Sequence, residues 1–268
     1  MPAGPGCAWL GNPTHPEAAD VHGPVPVPPT VVLVHGAFTG ASSWTGVIRF
    51  LHAAGLTAHA LANPLRGLAY DAAYLRSVVR QLDPPVVLAG HGYGGAVITD
   101  AAVGADNVVA LCYVAAFGLD DGECLLDVVD RFSPMPAAEE TFTAALAERS
   151  PADPDGELYI RGEHFRQVYA ADLSPRLTQV LSVTQRPLAQ GALTARSGPP
   201  AWAAKPSWYG IAAGDRMLNP TAQRFMALRM AANEYFLDGS HAVLLSRPAA
   251  VAAMIRAAAE QSREQLIL

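Results

Sequence analysis

A chain of 268 residues is long enough to bury a sizeable core and lies within the range that one large α/β domain fills. The hydrophobic fraction of 51% indicates a globular protein, and no apolar run reaches the roughly 18 uncharged residues that a membrane span needs. The net charge of −6 comes with dispersed Lys and Arg, so we expect neither nucleic acid nor a membrane as partner. The expected partner is a small-molecule substrate, and the sequence leaves the oligomeric state open.

The cysteines and the N-terminal segment bear on the cellular compartment. Cys7, Cys112 and Cys124 are an odd number without C-x-x-C spacing, which argues against a disulfide framework and against a zinc site. Residues 1–30 contain no Lys or Arg and no apolar signal-peptide core, but many prolines, which predicts a poorly ordered leader. We therefore expect a cytoplasmic protein that uses no metal or other cofactor.

Beyond the leader, apolar segments alternate with helical ones up to residue 117, and the alternation returns at residue 207. Such βαβ alternation predicts a mainly parallel, doubly wound α/β sheet with right-handed crossovers. The predicted strands are 31–34, 56–61, 86–89, 108–114, 207–213 and 234–237, and the predicted helices are 43–54, 70–82, 93–103, 220–231 and 249–261.

Residues 118–206 interrupt this alternation. They carry helical periodicity with many Pro, Asp and Ser, and no convincing strand pattern. An insertion late in an open α/β sheet lies near the carboxyl ends of the strands, where such sheets bind ligands. We therefore predict a helical lid at 118–206 on a core made of residues 31–117 and 207–268, with a peripheral decoration as the alternative.

The predicted strand at 86–89 runs into the turn GHGYGG at residues 90–95. In the nucleophile elbow G-x-S-x-G of α/β hydrolases, such a tight turn exposes the side chain of a serine, but the middle residue here is Gly92. The turn also matches the dinucleotide-binding pattern G-x-G-x-x-G, which belongs on the first βα turn, whereas this strand is the third. The next strand ends in VAAF at 114–117, without the acidic residue that a dinucleotide site requires, so we favour the elbow.

The loop after the first strand has the composition of an oxyanion loop. It begins with His-Gly at 35–36, and the loop at this place in α/β hydrolases donates one oxyanion-hole N–H. The second N–H comes from the residue after the nucleophile. The corresponding donors are Ala37, with Phe38 as the alternative, and Tyr93, and backbone donors do not depend on the side chain at 92.

An acid and a base follow the two last predicted strands. Asp215 comes after the strand at 207–213, and His241 after the strand at 234–237. The order of elbow, acid and base along the chain is that of α/β hydrolases. Asp120, or the aspartate next to it, is the fallback acid.

Together these motifs resemble the α/β-hydrolase superfamily, and more narrowly its compact bacterial small-molecule esterases related to plant methylesterases and hydroxynitrile lyases. The resemblance runs from about residue 31 to residue 260 and is carried by VLVHGAFTGASSW, ANPLRGLAYDAAYL, VVLAGHGYGGAVITDAA, PSWYGIAAGDRMLNP and DGSHAVLLSRP. It implies about six parallel strands, with Asp215 as the catalytic acid and His241 as the base. Gly92 departs from the family pattern at the nucleophile itself.

Several aromatic and histidine side chains are candidates for the substrate pocket. Phe38, Trp44 and His91 are the candidate substrate-binding residues, with core packing as the alternative for each. For Tyr93 we expect a packing side chain and a functional N–H. For three residues of the predicted lid, the sequence does not decide between contact with a ligand and ordinary packing. They are Tyr159, His164 and Tyr169.

Loss of the serine excludes an acyl-enzyme at residue 92 but leaves a His–Asp pair that faces an oxyanion hole. Three hypotheses remain. The first is an enzyme that uses His241 and Asp215 as a general base on a small, largely apolar carbonyl or ester compound. The second is a serine esterase or lactonase inactivated at Gly92, and the third is a ligand-binding protein on a non-catalytic scaffold. The intact acid and base favour the first two, and we favour proton transfer.

Overall fold

The computed structural model describes residues 27–132, 141–144 and 156–265. Apart from residues 27–30, the predicted leader, with Cys7, lies outside the described residues. Cys112 and Cys124 are buried free thiols. None of the described helices is long and apolar enough to cross a membrane.

A parallel sheet of six strands forms the centre of the fold, as the sequence predicts. The strands of this sheet are β1 (Thr30–Val34), β2 (Ala58–Leu61), β3 (Val86–His91), β4 (Val108–Val114), β8 (Ser207–Ala212) and β9 (Asn233–Leu237). Their order is β2-β1-β3-β4-β8-β9, and every neighbouring pair is parallel. All six carboxyl ends therefore meet at one edge of the sheet.

Helices cover both faces of the sheet. The helices of the core are α1 (Thr45–Ala53), α2 (Leu68–Val79), α3 (Tyr93–Ala101), α7 (Pro220–Arg229), α8 (Val243–Ser246) and α9 (Pro248–Gln265). The short α8 has no counterpart in the sequence prediction. Helices α1 and α9 pack on each other on one side, and α2 packs on α3 on the other.

The apolar strands supply side chains to two separate core layers. Successive side chains of a strand point to opposite faces, so a strand buried on both faces is apolar throughout. In β1, Val31 and Leu33 belong to the layer under α1 and α9, whereas Val32 and Val34 belong to the layer under α2 and α3. This double burial explains why the strands of the central sheet are recognisable in the sequence.

The region between β4 and β8 differs from the prediction, because it is not wholly helical. Its helices are α4 (Leu125–Phe132), α5 (Gly162–Tyr169) and α6 (Pro175–Val183), and its strands are β5 (Phe142–Ala144), β6 (Glu157–Ile160) and β7 (Leu188–Ala189). The three strands form an antiparallel sheet in the order β5-β6-β7. The prediction of a region without strands is therefore wrong. Strands of two to four residues are too short to show an alternating pattern.

Candidate active site

The turn between β3 and α3 has the backbone of a nucleophile elbow. Gly92 has φ +53° and ψ −122°, a conformation that L-residues rarely adopt. Its N–H donates to the carbonyl of Val114 at 3.3 Å, and its own carbonyl accepts from the N–H of Phe117 at 3.0 Å. Two residues on, a side chain at Gly94 would collide with the carbonyl of Val34 in β1. The turn is therefore fixed by backbone contacts with both neighbouring strands.

His241 lies directly against this turn. A Cβ built on Gly92 would lie 3.1 Å from His241 Nε2 and 3.5 Å from Cε1. The imidazole thus faces the position that a side chain at residue 92 would occupy. A substituent there fits only if the imidazole moves by a few tenths of an ångström.

The other ring nitrogen of His241 is held by Asp215. Nδ1 lies 2.7 Å from Asp215 Oδ2, and both side chains are buried. Because a carboxylate only accepts hydrogen bonds, we assign the proton to Nδ1, which leaves the lone pair on Nε2 towards Gly92. The pair has the orientation that a general base needs.

Asp215 accepts hydrogen bonds from three further donors. Oδ1 accepts from the N–H groups of Met217 at 2.7 Å and Leu218 at 2.9 Å, and Oδ2 accepts from Gln223 Nε2 at 2.8 Å. Gln223 also accepts from the N–H of Ala212 at the end of β8. The loop after β8 and the first turns of α7 thus orient the acid. The fallback acid Asp120 is exposed and bonded within its own loop, where its carboxylate accepts from the N–H of Asp121.

Their hydrogen bonds distinguish the two candidate N–H donors of the oxyanion loop, Ala37 and Phe38. The N–H of Phe38 donates to the carbonyl of Arg186 at 3.0 Å, so it is already engaged. No described residue accepts from the N–H of Ala37, which makes Ala37 the better candidate. Tyr93 is the first residue of α3, where an N–H has no acceptor inside the helix.

His35 anchors the beginning of the oxyanion loop. Its Nδ1 lies 2.8 Å from the carbonyl of Gly36, and its Nε2 accepts from the N–H of Asn63 at 3.0 Å. Asn63 Nδ2 in turn donates to the carbonyl of His35 at 3.0 Å. Burial, with a smaller contribution from the charge of Arg186, lowers the pKa of His35 to about 4. His35 is therefore a neutral structural group at neutral pH.

The three candidate substrate-binding residues lie in different environments. Phe38 has φ +64°, and its ring packs 5.8 Å from that of Phe142 in the lid, so it lies between the loop and the lid. Trp44 is fully buried in the core layer of α1 and α9. His91 is also fully buried, and its Nε2 lies 2.8 Å from the carbonyl of His241. Burial and the neighbouring His241 hold the pKa of His91 well below its usual value. Both Trp44 and His91 are too enclosed to reach a substrate, and His91 supports the loop of the base instead.

The sequence left ligand contact or packing open for Tyr169 and predicted a packing side chain for Tyr93. Tyr169, at the end of α5, is fully buried, and its ring packs edge-on against His241 with a centroid distance of 4.9 Å. Burial raises the pKa of its phenol. The Tyr93 side chain turns away to donate to Asp71 in α2 at 2.8 Å. The sequence does not show the contact of Tyr169 with His241, because the two residues come from distant segments of the chain.

The lid is bonded to the loop that carries the base. Ser240 Oγ donates to Asp172 Oδ1 at 2.5 Å, and the N–H of Ala242 donates to the carbonyl of Tyr169 at 3.0 Å. These bonds hold the segment after α5 beside His241. Within the described part of the chain, the other lid candidates, Tyr159 and His164, form no hydrogen bond or ring contact with His241 or Asp215.

The sequence model of the alpha/beta hydrolase family matches residues 31–254. The chain belongs to this family. A search of curated proteins found no match. Among solved structures, a methylesterase from Arabidopsis is similar, with 21% identity and a TM-score of 0.69 over 87% of this chain and 99% of that chain. A pyrethroid hydrolase from Sphingobium faniae has 20% identity and a TM-score of 0.71 over 87% and 97%, and a polyneuridine aldehyde esterase has 17% and 0.73 over 86% and 99%. At these identities, the similarity of this α/β hydrolase to those structures establishes the fold alone.

Proposed function

We propose that this α/β hydrolase is an enzyme in which His241, oriented by Asp215, takes a proton from a bound substrate or from water without an acyl-enzyme. The observation that carries the proposal is the position of His241 Nε2, 3.1 Å from a Cβ built on Gly92. The 2.7 Å contact of Nδ1 with Asp215 leaves Nε2 as the acceptor. An imidazole whose second nitrogen is held by a carboxylate is suited to general-base catalysis.

The chemistry follows from these groups in one step. The lone pair of Nε2 takes the proton of a C–H or O–H group placed beside Gly92, and the electron pair of that bond stays on the substrate. The N–H groups of Ala37 and Tyr93 would stabilise the resulting enolate or alkoxide, because fixed backbone donors act on charge as it develops. Asp215 stabilises the imidazolium until the proton returns to the product.

The substrate class is a small, largely apolar carbonyl or ester compound. Phe38 and Phe142 bring aromatic surface to the border between the oxyanion loop and the lid. Small-molecule sites combine such apolar walls with a few polar groups that fix the reacting atoms. The related structures include a methylesterase, a pyrethroid hydrolase and a polyneuridine aldehyde esterase. Their names favour esters and aldehydes as the first compounds to test.

A second candidate is ester hydrolysis that depends on a serine at position 92. The elbow backbone at Gly92 and the order of acid and base favour it, because only the serine side chain is missing from the triad. His241 Nε2 lies 3.1 Å from the built Cβ, so the imidazole would have to move by a few tenths of an ångström to make room for a serine side chain. Restoring the serine tests this candidate directly.

The experiment compares the wild-type protein with His241→Ala and Gly92→Ser on small apolar esters, ketones and aldehydes. The proposal expects turnover or substrate proton exchange by the wild type that falls by about 10² to 10⁴-fold in His241→Ala. The matched controls are His52→Ala, at an exposed histidine, and Gly104→Ser, at an exposed turn glycine with φ +66° and no atom near its built Cβ. Strong esterase activity in Gly92→Ser alone would support the second candidate, and tight binding without turnover would support a binding protein.

A further inference from the structure

Arg186, at the base of the lid, has no anionic partner among the described residues. It lies between α6 and β7 and is partly buried. Within residues 27–132, 141–144 and 156–265, no carboxylate lies within salt-bridge distance of its guanidinium. A partly buried arginine normally has a carboxylate or several acceptors. The partial burial of the Arg186 guanidinium therefore has to be explained by contacts other than an ion pair.

The guanidinium and the backbone carbonyl of Arg186 both contact residues of the oxyanion loop. Its Nη1 lies 3.3 Å from His35 Nε2, and its backbone carbonyl accepts from the N–H of Phe38 at 3.0 Å. His35 Nε2 has one lone pair, and because an arginine is only a donor, Nη1 shares this lone pair with the N–H of Asn63. One lid residue thus holds the residues on both sides of the Gly36–Ala37 peptide.

We infer that Arg186 is a positioning residue for the oxyanion hole, which fixes the N–H of Ala37 from the lid through His35 and Phe38. The inference rests on the proposed function for its catalytic consequence, but its geometry can be tested without turnover. Phe38 has φ +64°, a strained conformation for a bulky residue that persists only where the surroundings hold it. Release of Arg186 lets this loop relax, so the lid and the oxyanion hole form one unit.

The first test measures the protonation of His35 by NMR in the wild type, in Arg186→Met and in Arg176→Met. Arg176 is an exposed arginine of the same lid and serves as the matched control. Arg186 donates to the neutral imidazole and repels the charged one, so its loss raises the pKa of His35 above its value of about 4. His91 is the other titratable group near His35 and is followed in the same spectra. An unchanged pKa of His35 in Arg186→Met overturns the inference.

The second test follows exchange of the Phe38 amide with deuterium. In Arg186→Met we expect exchange at least tenfold faster than in the wild type, while Arg176→Met and the amides of β3 and β4 keep their rates. Equal Phe38 rates in Arg186→Met and Arg176→Met overturn the inference. If Arg186→Met does not fold, Arg186→Lys decides the question, because lysine keeps the charge but not the planar donor fork. In Arg186→Lys we expect the amide of Phe38 to exchange at least three times faster than in the wild type. An unchanged rate would overturn the inference.

Kinetics separate this inference from the proposed function. Where the wild type has turnover that depends on His241, Arg186→Met lowers kcat about tenfold with little change in KM, because a loosened oxyanion donor acts on the transition state. A lowered kcat that Arg186→Lys restores completely would show that charge alone matters and would contradict the positioning role. Absence of any turnover overturns the proposed function, but the NMR and exchange results still decide the role of Arg186.

Discussion

The elbow at Gly92 and the pair formed by His241 and Asp215 lie in contact, yet different parts of the chain hold them. Backbone hydrogen bonds with Val114 and Phe117 fix the elbow. Side-chain hydrogen bonds fix the pair, above all the 2.7 Å contact between Nδ1 and Oδ2. A part built from the backbone keeps its shape when its side chain is lost, whereas a part built from side chains does not. The backbone of the elbow is thus compatible with a glycine at position 92, whereas the position of His241 depends on its contact with Asp215.

Asp215→Asn tests the side-chain half of this comparison and has the largest expected effect. The amide would place a donor where the carboxylate now accepts, so His241 would adopt the wrong tautomer. We expect turnover to fall by on the order of 10⁴-fold, as in other triads whose acid becomes an amide. Steady-state kinetics measure the change, with the exposed Asp83→Asn as control. Equal kcat in the two variants would contradict the assignment of Asp215.

The same contrast explains what the sequence predicts and what it does not. The sheet and the order of Gly92, Asp215 and His241 are predictable because continuous apolar strands end at one edge and each group follows a strand. Gln223 and Arg186 are not predictable, since their partners lie on loops that meet only in the folded chain. The strands of the lid cannot be predicted from the sequence because they are too short, and β7 has only two residues. Burial of Trp44 and His91 is likewise decided by packing around the elbow.

The buried His35, which anchors the oxyanion loop, should make the free energy of unfolding depend on pH. Its pKa is about 4 in the folded protein, against 6.5 for an ordinary histidine. Below pH 6.5 the unfolded chain therefore binds a proton that the folded protein refuses until about pH 4, and the free energy of unfolding falls as the pH decreases. The contribution of His35 is about 3 kcal/mol over this range.

Urea denaturation of the wild type and His35→Gln between pH 7 and pH 4 measures this contribution. We expect a shallower dependence of the free energy of unfolding on pH in His35→Gln. The exposed His52→Gln should keep the wild-type dependence. Identical slopes for the wild type and His35→Gln would contradict the neutral, buried state of His35.

Gly92→Ala examines how far the elbow tolerates a side chain. The left-handed φ and the 3.1 Å approach to His241 Nε2 both oppose a Cβ, so we expect a loss of about 1 to 3 kcal/mol in the free energy of unfolding. Gly104→Ala has a similar φ of +66° but no atom near its built Cβ, so it should lose less. Thermal or urea unfolding compares the two variants. A loss in Gly104→Ala as large as that in Gly92→Ala would rule out the contact with His241 as a contribution.

Ser240→Ala has the smallest expected effect and tests how the lid supports the loop of the base. Ser240 Oγ contacts Asp172 Oδ1 at 2.5 Å and accepts from the N–H of Ala242 at 3.2 Å. Their loss should lower the free energy of unfolding by about 1 to 2 kcal/mol. It should also increase deuterium exchange at Ala242. Ser182→Ala, at a serine of α6 bonded only within its helix, is the control. Unchanged exchange at Ala242 would show that the hydroxyl of Ser240 does not hold this loop.

The central claim is that His241 removes a proton although residue 92 has no hydroxyl. It is tested most directly by incubating the wild type and His241→Ala in D₂O with small apolar esters, ketones and aldehydes, and following incorporation of deuterium or formation of product by NMR. The account predicts incorporation or conversion by the wild type that His241→Ala reduces by about 10² to 10⁴-fold. Equal, background rates in both proteins, with strong ester hydrolysis appearing only in Gly92→Ser, would contradict it.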